Sequence, residues 1–137
     1  MARQFRLQIV TQEGTRFDGQ VDSVTLPGEM GYFGVRIGHA AMIAALKIGI
    51  ITAKIEGKNT LFACSGGLAR VSTNEVVVLG DAIEAASEID IMRAQQSEER
   101  ARDRYEDRKA DVDHTRAELA LKRALNRLRV RDKARGL

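Results

Sequence analysis

Residues 88 to 100, EIDIMRAQQSEER, hold the side chains whose types and spacing invite chemistry. Asp90 and Arg93 lie three apart, and Arg100 follows seven after Arg93. On a helix, seven residues make nearly two turns, so Arg93 and Arg100 share a face. Guanidinium groups on one face suit phosphate, because the planar fork donates two parallel hydrogen bonds. A plainer structural reading stands beside this one. Ser87 to Asp90 has the S-x-x-D spacing of a capping box, and Asp90 with Arg93 makes an i,i+3 ion pair of small energy.

The other reactive side chains give no support to catalysis. Cys64, the single cysteine, sits in the apolar run TLFACSG, where a free thiol is usually a small core group. One cysteine makes no disulfide framework within a chain, which points to a reducing, cytosolic setting. His39 and His114 are the two histidines, and neither joins a cysteine or carboxylate cluster with metal-ligand spacing. His39 reads as a loop or interface residue, and His114 as an exposed residue at a helical joint. No GxxxxGK[ST] pattern occurs, so a phosphate site here would bind rather than hydrolyse. Without a recognisable triad or paired-carboxylate motif, binding, coupling or regulation is favoured over an enzyme.

Two halves of different periodicity must position these groups. Over residues 1–85 apolar residues alternate: Phe5, Leu7 and Ile9; Val24 and Leu26; Leu46, Ile48 and Ile50, with Ile51, Ala53 and Ile55 on the other face. Val76 to Leu79 is a continuous run suited to burial on both faces. Turn signals separate the runs, among them Glu13-Gly14, Asp18-Gly19, Pro27-Gly28 and Gly57-Lys58-Asn59. Short strands at this spacing predict an antiparallel sandwich or barrel. From Ala82 to Arg135 there is no Gly or Pro. Ser87 reads as an N-cap, and a helix is expected over about 88–109 with a thin stripe of Ile91, Ala94, Ala101 and Tyr105. Asp111 or Asp113 can cap a second helix, whose stripe is Ala117, Leu121, Ala124, Leu125 and Leu128. Together they predict a helical hairpin over 86–137, weakly held because small alanines bury little area.

Charge is unevenly spread. Residues 1–85 carry eight basic and eight acidic side chains, whereas residues 116–137 carry eight basic and two acidic, a net of +6. Such an end seeks an acidic partner surface, an anionic ligand or a nucleic acid. A nucleic-acid module built on RALNRLRVRDKARG is disfavoured, since no strand-borne aromatic set for stacking accompanies it. No run of about 18 apolar residues exists, so no transmembrane helix is expected, and the N-terminus lacks the apolar core of a signal peptide.

Four segments follow one another along nearly the whole chain: LPGEMGYFGVRIGHAAM, CSGGLARV, IDIMRA and DVDHTRAELALKRALNRLRV. In this order they resemble the epsilon subunit of bacterial F-type ATP synthases. The resemblance implies an N-terminal antiparallel β-sandwich (1–85) and a C-terminal two-helix antiparallel hairpin (86–137). It implies a non-catalytic central-stalk subunit, peripheral on the cytoplasmic face of the plasma membrane. Its partners would be the gamma subunit, the c-ring and, when the hairpin extends, the catalytic beta subunits. The hairpin would act as a brake, permitting ATP hydrolysis when folded down and inhibiting it when extended. Tyr32, Phe33, Arg36 and His39 would be contact candidates for the c-ring or stalk. The family usually has a proline before the Gly-His pair and another shortly after; here Ile37 precedes Gly38-His39 and Ala40-Ala41 follow. In some members a motif of the form I/L-D-x-x-R-A accompanies ATP binding, and Ile89 to Ala94 matches it in full. The implied nucleotide site comprises Glu84, Ile89, Asp90, Arg93, Ala94, Arg100, Arg123 and Arg127, with ATP as a regulatory ligand and no metal. Arg123 and Arg127, four apart, share a face as Arg93 and Arg100 do, so an antiparallel hairpin can turn both pairs into one groove.

Overall fold

The computed structural model describes residues 3–89, 91–106 and 114–135, with the side chains of 91, 105, 106, 114 and 135 left aside. Eight strands precede two helices: β1 (Phe5–Thr11), β2 (Gly14–Val21), β3 (Ser23–Gly28), β4 (Gly31–Val35), β5 (Met42–Ile55), β6 (Lys58–Val71), β7 (Glu75–Gly80) and β8 (Ile83–Ala85). A 3-10 turn, Ala86–Glu88, leads to α1 (Ile91–Glu106), and α2 (His114–Arg135) follows. The strands run in the order β2-β1-β7-β6-β5-β3-β4, with β8 added to β6. All pairings are antiparallel except that of β1 with β7.

Alternation builds the core as the sequence predicts. Phe5, Leu7 and Ile9 of β1, Val24 and Leu26 of β3, and Val76 and Val78 of β7 point inward. With few aromatics, aliphatic side chains fill most of the space, and Phe62 meets Phe17 edge-on at 5.8 Å. Cys64 is wholly buried among them. One expectation fails here: the run Val76 to Leu79 is not buried on both faces. β7 alternates, and Leu79 is 52% exposed.

The long strands β5 and β6 form a ladder from Met42↔Val71 to Ile55↔Lys58. Near its middle β6 changes partner, pairing with β8 at Phe62 to Cys64 and with β7 from Gly67 to Val71. The Ser65-Gly66-Gly67 segment makes this change. A Cβ on Gly67, at φ +148, would stand 2.2 Å from the Leu79 carbonyl oxygen, so glycine is required for the close approach. Inward parity switches across the same region: Leu46 and Ala69 face the core on one side, Ile51, Phe62 and Cys64 on the other. Leu46, Ile48 and Ile50 therefore do not share one environment, because Ile50 turns outward.

Much of the segment LPGEMGYFGVRIGHAAM is a strand pair, Gly28↔Gly31 to Val24↔Val35. Pro27 lies where the β3–β5 register shifts, between Thr25 and Gly28, as expected of a residue without an N–H to donate. At the start of the helical half the cap differs from expectation. Ser87 lies inside the 3-10 turn and α1 begins at Ile91, so Ser87 does not cap it. Asp90, like Asp111 and Asp113, lies outside the described residues.

Candidate functional site: the cleft between sandwich and hairpin

The hairpin lies against the outer face of β5, β6 and β8. Strand alternation makes this face: Ile51, Phe62, Cys64 and Ile83 point into the core, so Ile50, Leu61, Ala63 and Glu84 point the other way. Ile50, Leu61 and Ala63 form an apolar seam with Ala86, Ile89, Ala94 and Val130, flanked by Leu128 and Ala134. The helices meet each other through small residues, with Ala101, Ala117 and Ala124 buried. Leu125, placed on the apolar stripe by its spacing, is exposed. The buried place one residue further on belongs to Asn126, which is 6% exposed. Its Nδ2 donates to the carbonyl oxygens of Gly49 at 2.8 Å and Cys64 at 3.4 Å. A buried amide must find such partners, and here they are main-chain atoms of two adjacent strands.

Beside the seam opens a cleft of about 390 Å³, walled by the sandwich on one side and α1 and α2 on the other. Glu84 stands in it, opposite Ala63 on β8, and Arg127 of α2 reaches across to pair with it. The pair is two-pronged: Nε faces Oε1, and Nη2 lies 3.4 Å from Oε2. Arg123, one turn earlier, lines the same wall, as do Ser97 of α1 and Arg16 of β2. Arg16 donates from Nε to the Ile83 carbonyl oxygen at 2.9 Å and from Nη2 to Glu88 Oε2 at 3.0 Å.

The structure thus brings together Glu84, Arg123 and Arg127 of the implied nucleotide set. Ile89 and Ala94 are packed into the docking seam instead, where their side chains fill space. Arg93 and Arg100 are exposed on α1, and Arg100 Nη2 donates to Ser97 Oγ at 3.3 Å. Asp90 lies outside the described residues. Of the stalk-contact candidates, Arg36 is exposed and His39 partly so, with His39 Nδ1 2.7 Å from the Ala40 carbonyl oxygen. Tyr32 keeps an exposed ring while its hydroxyl accepts the Ile50 N–H at 3.0 Å. Phe33 leans on the core. Among the described residues no group of three or more His, Cys, Asp or Glu is arranged to hold a metal, and no helix is long and apolar enough to cross a membrane.

Sequence reasoning missed Arg16, Ser97 and Asn126. It also missed an uncovered apolar strip on the far half of the ladder, where Ile43 (67% exposed), Leu68 and Leu79 face outward. The pairing Leu68↔Leu79 sets two of these side by side. A misread parity hid Leu79; Arg16 carried no local signal, since only the fold brings β2 beside residue 88.

A two-layered β-domain carrying a docked helical hairpin, with an arginine- and carboxylate-lined cleft between them, defines the class of protein. The chain belongs to the ATP synthase Delta/Epsilon chain family: its beta-sandwich domain matches residues 4–86 and its long alpha-helix domain residues 87–131. The ATP synthase epsilon chain of Symbiobacterium thermophilum is 45% identical over 90% of this chain and 89% of its own. That of Nitratidesulfovibrio vulgaris is 44% identical over 98% and 100%. Among solved structures, a chain of the Euglena gracilis mitochondrial ATP synthase (OSCP/F1/c-ring) superposes with a TM-score of 0.78 at 25% identity, covering 98% of this chain and 82% of that one. A chain of the Tetrahymena thermophila mitochondrial central stalk and c-ring has the same fold, with a TM-score of 0.60 at 16% identity and 96% of each chain covered.

Proposed function

We propose that this chain is a non-catalytic rotor subunit of a proton-translocating F-type ATP synthase, whose hairpin is a brake held down by ATP. The observation that carries the regulatory part is the cleft: Glu84, Arg123 and Arg127 line one space, bounded by the sandwich on one side and the hairpin on the other. A ligand bridging those walls binds only the docked hairpin and stabilises it by RT ln(1 + [L]/Kd). With ATP plentiful the hairpin stays down; as ATP falls it is freer to extend. The guanidinium groups suit the phosphates, and the carboxylate of Glu84 suits the adenine amino group or orients Arg127. The basic end, net +6 over residues 116–137, suits acidic surfaces of the catalytic beta subunits on extension.

The relatives' name and the stalk and c-ring complexes among the structural neighbours support the placement in the rotor. Gamma and the c-ring are then the sandwich's partners, and this subunit is peripheral on the cytoplasmic face. The uncovered strip of Ile43, Leu68 and Leu79 is the kind of apolar face that a stalk partner covers. Tyr32, Phe33, Arg36 and His39 remain the candidates for contact with the c-ring or stalk.

Titration calorimetry of the isolated subunit tests the nucleotide reading. Binding of ATP more tightly than ADP is expected, with loss of binding in the double variant Asp90→Ala, Arg93→Ala. Absence of any ATP heat from the unmodified protein would sink it.

A further inference from the structure

We infer that Arg16 is a third cationic contact for the anionic end of the cleft ligand, so that the sandwich supplies a cation to the closed site as well as Glu84. The inference rests on the nucleotide reading above and adds a residue that its arginine set on the two helices does not contain.

Arg16 sits on β2, far from the hairpin in sequence, yet it lines the cleft with Arg123 and Arg127. Its position is fixed by what it and Arg127 hold. Arg16 Nε donates to the carbonyl of Ile83, and Arg127 grips the side chain of Glu84, the next residue. Two guanidinium groups, one from each domain, therefore flank a single dipeptide of β8. Arg16 Nη2 is engaged by Glu88, while Nη1 stands 3.9 Å from Glu13 Oε2, beyond hydrogen-bond length. Nη1, which makes this long ion pair to Glu13, is the edge that a phosphate would take over. The side chain is one-quarter exposed, so it is held in place and still open to the cleft.

The cleft also contains carboxylates: Glu13 and Asp81 besides Glu84. An anion bound among them needs its cations close together. Arg16 with Arg123 and Arg127 supplies three guanidinium groups against three lining carboxylates, so phosphates at the β8 end need all three, and Glu84 then orients Arg127 rather than facing the adenine amino group. A phosphate held there ties helix to sandwich, where a helix-to-helix site would only close the hairpin on itself.

The test is calorimetry on the full chain with ATP and AMP, using Arg16→Gln, Arg16→Lys and Glu88→Gln, each first checked for an unchanged thermal transition. Expected is a loss of about tenfold or more in ATP affinity for R16Q, as for a lost charge-assisted hydrogen bond. AMP should lose less, R16K should keep part of the affinity, and E88Q should stay within about twofold of the unmodified protein. Equal losses in R16Q and E88Q would mean that Arg16 acts only by bracing the 3-10 turn, and would overturn the inference. So would an R16Q that binds ATP unchanged, with the nucleotide reading left standing. An unmodified protein that binds neither nucleotide would overturn both.

Discussion

Glu84 and Arg127 show how one residue pair can both line a cleft and close it. The carboxylate fills the guanidinium fork that a phosphate would otherwise use, so an incoming anion competes with an internal one. Cys64 is the opposite case, a reactive group made inert. Burial raises its thiol pKa above the ordinary value; the Gly66 N–H, 3.4 Å from Sγ, opposes the shift, and the charge of Asp81 adds to it. The folded state therefore holds this proton more tightly than the unfolded state does. Stability from this group is complete below the unfolded thiol pKa of about 8.5 and falls as pH rises above it. Thiol labelling at pH 8 should accordingly be slow in native protein and fast in urea. Labelling of the native chain at the rate of a free thiol would contradict the buried position.

The helices are held by an element-scale contrast between apolar seam and polar pin. Small side chains such as Ala63, Ala86 and Ala94 give little area, so the two Asn126 hydrogen bonds matter out of proportion to their number. Asn126→Ala should loosen docking by about 1 kcal/mol, and Asn126→Asp by more, because a carboxylate would face two carbonyl oxygens. Hydrogen exchange in α2 would report it: protection should fall in α2 before β6, and fall further in the Asp variant. The same contrast explains what could be read in advance. Period-two alternation in Phe5, Leu7 and Ile9 identifies β1 directly, since burial follows parity along a straight strand. Asn126 and Leu125 could not be assigned, because the helix meets two surfaces and its rotation is set by where each surface lies. Glu84 lies on a three-residue strand, and Arg16 reaches its partners across 67 and 72 residues of chain. No local pattern encodes such distances, whereas the motif Ile89 to Ala94 is local and was legible, though the fold uses Ile89 and Ala94 as packing.

At the scale of the whole molecule the two halves respond differently to solution conditions. Docking rests mainly on apolar contacts and an uncharged amide, with the partly buried Glu84–Arg127 pair only weakly screened by salt, whereas ligand binding would rest on guanidinium groups open to solvent. Raising ionic strength several-fold should leave a tip-to-sandwich distance unchanged in nucleotide-free protein and weaken ATP binding. A distance distribution that shifts outward with salt alone would show that ion pairs, not the seam, hold the hairpin.

The ladder of β5 and β6 has a mechanical meaning. Each strand runs fourteen residues, long enough to pass from the β7 side of the sandwich to the β8 side without a break in the chain. A load applied along these strands is borne by many rungs in parallel, as in a lap joint, rather than peeled one rung at a time. Twisting force entering at the Ile43–Leu68 end would reach the hairpin's seat through covalent backbone and not through sliding side chains. The sandwich is then a stiff lever, and the hairpin's seat is part of it.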